Sequence, residues 1–239
     1  MGLLFLRAKG SVLVAVIAGL GSAPYAAGAP LQQARVTQVV NDVKLLASQV
    51  AARPAAVNDE VKQGTAVSTG TNSRTELTFT DLTIMRLGSN TVFSFTPGTR
   101  DLNINNGATL IQVPPGAPEV KVSTAAVSAA ISGGTALFDA ATGKFMILEG
   151  NGRMWPTSHP EQVTTVHAGE IVWLTSAGQI RRPETFNVKK VTQTSPLITN
   201  FAPLPNSDLI DQVIQQQQGG SDLPPLPEKT DNEDRKSVV

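Results

Sequence analysis

From about Val57 to Leu174 the chain alternates apolar and polar residues in short runs rich in Val, Thr, Ile, Leu and Phe, broken by Gly, Asn, Asp and Pro. Side chains repeating with a period of two point to opposite faces of an extended backbone, so these runs predict consecutive β-strands, one face buried and the other polar. Thr75-Glu76-Leu77-Thr78-Phe79-Thr80 sets Leu77 and Phe79 on one face, and Asn90 to Phe95 and Leu102-Asn103-Ile104 repeat the pattern. Asn105-Asn106-Gly107 is a tight-turn signal because Asn and Gly tolerate positive φ, and Ala140-Ala141-Thr142-Gly143 closes a second hairpin before Phe145-Met146-Ile147-Leu148. Strand signals recur at a spacing of about eight to twelve residues with no long amphipathic helix between them, which predicts an all-β fold. Short antiparallel strands in a sandwich or a solenoid-like stack fit this spacing; βαβ units do not.

Two segments read differently. Leu31 to Ala52 carries Val36, Val39, Val40, Val43, Leu46 and Val50 mostly at spacings of three and four, and on pattern alone this favours a helix, although Arg35 to Val39 and Asp42 to Leu45 also read as strands about an Asn41-Asp42 turn. Past Gln179, Pro183, Pro196, Pro203 and Pro205 punctuate a stretch too broken for regular structure, so residues 176–205 are expected as an extended arm. Asn206-Ser207-Asp208 then offers a helix cap, and Leu209, Ile210, Val213 and Ile214 form an apolar stripe on one short helix over 206–218. That stripe either packs back on the domain or docks in a partner's groove. Residues 219–239, with Pro224, Pro225, Pro227 and mixed charges, have the composition of a disordered tail.

The N-terminus changes the picture of where the chain acts. Arg7 and Lys9 precede the apolar run Ser11 to Leu20, which has the length of a signal-peptide core and is short for a span, and Ala26-Ala27-Gly28 supplies the small residues of a cleavage site after Gly28. An uncleaved anchor is the competing reading, and it would be the protein's sole membrane contact. Either way residues 30 onward are expected outside the cytoplasm, in the periplasm or beyond the cell. Removing residues 1–28 takes away two positive charges and leaves 17 basic against 19 acidic residues.

The full chain of 239 residues carries 19 Lys+Arg against 19 Asp+Glu, so it has no basic field for nucleic acid. It contains no cysteine, which excludes disulfides, thiolate metal sites and cysteine nucleophiles. His159 and His167 are the two histidines, each in a turn-like setting without the spacing of a metal motif. Asp81 and Asp139 sit beside turns, where a carboxylate caps its own backbone. Gly133-Gly134-Thr135 lacks the Lys and helix of a phosphate loop, and no Gly-x-Ser-x-Gly elbow is present. No catalytic residue, cofactor or metal is therefore expected, and nothing points to an enzyme on envelope polysaccharide.

The glycines carry more. Gly64-Thr65-Ala66-Val67-Ser68-Thr69-Gly70-Thr71-Asn72-Ser73 leads into Glu76-Leu77-Thr78-Phe79, Asp81-Leu82-Thr83 and Ile84-Met85-Arg86-Leu87. This succession resembles the FecR domain, and later pieces are similar to its signatures in the same order: Gly107 to Ile111, Val122-Ser123-Thr124, Ile131 to Phe138, Leu148-Glu149-Gly150 and Ala168-Gly169-Glu170. The resemblance runs over about residues 33–175. Since that family opens with strand, turn, strand, it moves Arg35 to Leu46 from helix to β. It implies a single FecR-like domain, with Gly64, Gly70, Gly107, Gly150 and Gly169 as structural turn positions.

There are departures. The family's Asp-Gly-Ser is here Asp81-Leu82-Thr83, and without glycine this turn must change type or carry strain. Pro114-Pro115-Gly116-Ala117-Pro118 is an insertion. The founding regulators also carry a cytoplasmic sigma-factor-binding segment, for which the residues before the apolar run leave no room. The resemblance implies signal perception at the cell surface. The expected function is thus an exported, non-enzymatic module that binds an envelope protein or polymer; the alternative is a structural protein of the envelope or matrix that associates with itself through strand edges.

Overall fold

The computed structural model describes residues 29–47, 50–62, 64–96 and 98–219. The expected signal segment, 1–28, and the expected tail from residue 220 onward lie outside them. Leu31 to Ala47 is β: the strands β1 (Gln33–Val40) and β2 (Val43–Ala47) flank the turn at Asn41-Asp42. They are followed by β3 (Arg53–Pro54), β4 (Glu60–Lys62), β5 (Thr65–Thr69), β6 (Arg74–Phe79), β7 (Ile84–Leu87) and β8 (Val92–Phe95). Then come β9 (Asp101–Asn105), β10 (Ala108–Val113), β11 (Val120–Ser123) and two long strands, β12 (Val127–Asp139) and β13 (Lys144–Pro156). The chain finishes with β14 (Thr164–His167), β15 (Glu170–Trp173), β16 (Glu184–Thr185), α1 (Val188–Thr194), α2 (Pro196–Thr199) and α3 (Ser207–Gly219).

All the strands belong to one hydrogen-bonded sheet, whose main path runs β3-β2-β5-β8-β9-β11-β12-β10-β7-β6-β1-β4, with β13 pairing β12, β14 and β15. The fold class is all-β, as the alternation predicts, but the architecture is a single curled sheet. It closes around one core because β12 changes partner along its length: Ser128 to Ile131 pair with β11, and Gly134 to Asp139 pair with β10. Between them the β12–β13 register slips, and Gly134 and Gly150 both adopt positive φ there. Their backbones approach so closely that a Cβ on Gly150 would strike the Gly133 carbonyl and one on Gly134 the Glu149 carbonyl. The bend is therefore available only to glycine.

Inside the curl, every second residue of β6, β8 and β9 is buried, which brings Leu77, Phe79, Phe93, Phe95, Leu102 and Ile104 together. Phe79 meets Phe95 edge-on with ring centroids 5.5 Å apart, and Phe93 stacks beside Phe95 at 6.1 Å. The free edges are short and blunted: β3 is Arg-Pro, and β4 exposes Glu60 and Lys62 on either side of buried Val61. Such edges resist pairing with another chain.

In β7 and β10 burial is almost continuous, because their outer face is covered as well. The cover is the C-terminal segment. Residues 176–205 were expected without regular structure, yet they hold α1 and α2 in addition to β16, so the described residues include three short helices where one was expected. Asn187 caps α1 through its side chain, accepting from the Lys190 N–H at 2.8 Å, and Pro196 opens α2 at its first turn, where a proline has no hydrogen bond to lose.

Candidate functional site

The outer face of β7, β10, β12 and β13 presents Ile84, Leu110, Leu137 and Leu148, and onto it pack Phe186, Val188, Leu197, Leu204, Ile210 and Ile214 of the C-terminal segment. Of the apolar stripe on α3, Ile210 and Ile214 are buried here, with Leu209 and Val213 partly covered. Of the two readings of that stripe, these contacts fit packing back on the domain: its two isoleucines fill the chain's own outer face.

Polar side chains fix where this cover sits. Arg86, 1% exposed, projects from β7 on the Ile84 side. Its Nε donates to Glu76 Oε2 at 2.8 Å, while Nη1 and Nη2 donate to the Leu197 and Ala202 carbonyls at 3.0 and 2.6 Å. The Phe201 ring lies 4.7 Å over the guanidinium. Burial pulls the Arg86 pKa down from its ordinary value, and the Glu76 hydrogen bond and charge oppose that.

A second anchor joins Glu149 on β13, Thr135 on β12 and Asn206 just before α3. Glu149, 6% exposed, accepts from Thr135 Oγ1 at 3.0 Å and from the Asn206 side-chain amide, which also donates to Thr135 Oγ1 at 2.9 Å. Burial pushes the Glu149 carboxyl above its ordinary value against these two hydrogen bonds, with the Asp208 charge adding to the rise. Asn206 Oδ1 is buried with no donor facing it. At the far end of α3, Gln217 donates to the Phe186 carbonyl at 2.8 Å and accepts from the Val188 N–H at 3.1 Å.

A second arginine, Arg100, ties down Ala29. Arg100 donates to the Glu119 and Ala29 carbonyls, each at 3.1 Å, and to Asp81 Oδ2 at 2.5 Å. Burial alone would raise the Asp81 carboxyl, but the Thr83 N–H, Arg100 and the Thr83 hydroxyl together hold it below its ordinary value. Leu82 pays for this turn conformationally: it stands at φ 67°, left-handed, and is 67% exposed. The turn therefore carries strain at a position a glycine would occupy freely. Leu82 borders an apolar groove of about 440 Å³ whose other walls include Ile84, Pro114, Pro115, Pro205 and Leu209. Both family departures, the Leu82 turn and the proline insertion, therefore meet at one groove with the first turn of α3.

The remaining candidates make local contacts. Asp139 Oδ1 accepts from the Ala141 and Thr142 N–H groups at 2.9 and 3.1 Å. His159 lies 3.3 Å from Glu161, and His167 Nδ1 lies 2.9 Å from Asn151 Oδ1, both at exposed sites. Among the described residues no group of three or more metal-ligating side chains comes together. Gly64, Gly107, Gly150 and Gly169 stand at positive φ. Gly70 does not; a Cβ there would come within 3.0 Å of Asp42 Oδ2, so close approach rather than a left-handed backbone favours glycine. The polar anchors Arg86, Arg100, Glu149 and Gln217 were not singled out from the sequence, and Asn206 was read only as part of a helix cap. For Arg86 and Glu149 a signal existed: each is a lone charge inside an apolar strand, in Ile84-Met85-Arg86-Leu87 and Ile147-Leu148-Glu149.

Residues 65–153, from β5 into β13, match the family model described as FecR protein. Over that stretch the chain is similar to the FecR family. Two crystal structures of a candidate anti-sigma factor from Parabacteroides distasonis are similar at TM-score 0.46, with 17% and 18% identity. Each match covers 53% of this chain and 62% of the other, short of two thirds of its length. No match was found among curated proteins.

Proposed function

We propose that this chain is an exported, non-enzymatic module in which a FecR domain perceives a signal by binding a protein or polymer of the cell envelope. The observation that carries the reading is Leu82. A leucine held left-handed costs on the order of 1–2 kcal/mol relative to ordinary backbone, and here the side chain recovers little of that by burial, since it points mostly to solvent beside an apolar groove. A position that harms the isolated fold and borders an apolar groove is suited to contact with a partner. Export is supported by Arg7 and Lys9 ahead of the apolar run and by the small residues before Ala29.

The Leu82→Gly variant tests this. It should melt higher than the native protein by about 1 kcal/mol of stability, because glycine enters the left-handed region freely, while losing envelope partners in affinity capture with the full chain as bait. Capture of the same partners at the same yield by both proteins would remove Leu82 from the contact. Sequencing the N-terminus of chain recovered from the periplasm tests export, with Ala29 expected first. Light scattering across a concentration series is expected to show a monomer; growth in mass with concentration would favour self-association instead.

A further inference from the structure

At the other end of β7 from the Leu82 groove, past Leu87, a separate cavity of about 410 Å³ opens between the sheet and the start of α2. That volume lies within the range of small-molecule sites, about 300–1,000 Å³. Its walls include Ala108, Leu137, Met146 and Leu197, and its polar lining includes Arg74 and Lys144. Among the described residues three arginines are withdrawn from solvent: Arg86, Arg100 and Arg74. The first two each hold a carboxylate, Glu76 and Asp81 respectively. The Arg74 side chain has no ion pair or hydrogen bond, and its Nε is buried without an acceptor. A buried donor left open is rare enough in folded proteins to call for an explanation. Lys144, on β13, separated from β6 by β7, β10 and β12 but lining the same cavity, also lacks an ion-pair partner, and the one acid in the lining, Asp139, has its Oδ1 engaged by its own turn.

We propose that this cavity binds an amphiphilic anion, an unbranched acyl chain ending in a single carboxylate. The chain would lie on Ala108, Leu137, Met146 and Leu197, and the carboxylate would accept from Arg74 and Lys144. The apolar walls argue for hydrocarbon over peptide, because peptide N–H and C=O groups would lose their water there without replacement. Asp139 argues for a monoanion over a phosphate dianion, since its charge stands in the same lining. The site is independent of the Leu82 groove and of the partner reading built on it.

Titration of the full chain with laurate, dodecyltrimethylammonium or acetate, followed by calorimetry and by amide chemical shifts, tests the assignment. Laurate is expected to bind at one site and to move the amides of Ala108, Leu137 and Lys144, with the cationic chain and acetate at least tenfold weaker. Lys144→Glu reverses an exposed charge without touching the core, and it should weaken laurate at least tenfold with only a small loss of Tm, since the new carboxylate faces Asp139 across the β12–β13 pair; Arg74→Gln should weaken laurate in the same direction. Equal affinity for the cationic chain, shifts confined to other residues, unchanged affinity in Lys144→Glu, or no saturable binding would each overturn the proposal.

Discussion

Inside the curl, Leu77 and Phe79 of β6 meet Phe93 and Ile104 of β8 and β9 across the interior, because each strand alternates and turns the same face inward. On the outer face, Leu110, Leu137 and Leu148 are covered by residues that lie far along the chain, and the ties that place them span 111 residues from Arg86 to Leu197 and 57 from Glu149 to Asn206. The inner core contains aliphatic and aromatic side chains, whereas the outer one is held in place by a buried guanidinium, a buried carboxylate and two amides. Apolar burial is non-directional, so it can hold a cover down without fixing where it sits; charged and amide groups supply that position. The difference assigns the two halves of the molecule different ways of failing.

Arg86→Ala should have the largest effect. It leaves Glu76 without its cation and two arm carbonyls without donors, and it should cost about 3–5 kcal/mol in chemical denaturation. Phe93→Ala should cost a similar amount, about 3–5 kcal/mol, by opening a cavity in the inner core. Limited proteolysis separates them: Arg86→Ala is expected to be cut first between Phe186 and Gly219, Phe93→Ala throughout the sheet. Ile214→Ala, at the edge of the outer core, should cost about 2 kcal/mol, with the early cuts again confined to the cover.

Glu149→Gln sharpens the contrast by pH. The folded protein holds the Glu149 proton more tightly than the unfolded chain, so this group's contribution is fully present below its ordinary value of 4.5 and is lost as pH rises through the raised folded value. The variant should lack that decline in thermal melts. Asp81, lowered in the fold, has the opposite sign: its contribution is present above 3.8 and is lost as pH falls through its depressed value. An identical pH dependence of Tm in Glu149→Gln and the native protein would show that the carboxyl does not couple to the fold.

These expectations bear on how far a sequence can be read. Alternation and turn chemistry identified the strands of the inner core, since both are local: Leu77 and Phe79 share a face whatever else the chain does. The segment Arg35 to Leu46 showed the limit of periodicity, because its valines suit a helix or two strands, and only the family's strand-turn-strand order decided it. The arm misled for another reason. Pro183, Pro196, Pro203 and Pro205 look like breaks, yet Pro196 begins a helix and Leu204 is buried between two prolines. The polar anchors were hidden because a hydrogen bond across 57 or 111 residues leaves no periodic trace. A lone charge in an apolar strand is the trace it does leave.

Hydrogen exchange on the intact chain tests the central claim, that the C-terminal segment is a built-in cover held by polar anchors. The account predicts protected amides in α3 around Ile214 in the native protein. In Arg86→Ala that protection should fall at least tenfold relative to β6 and β8, which keep theirs. Exchange in native α3 as fast as in an unstructured peptide, or equal loss across cover and sheet in the variant, would contradict it.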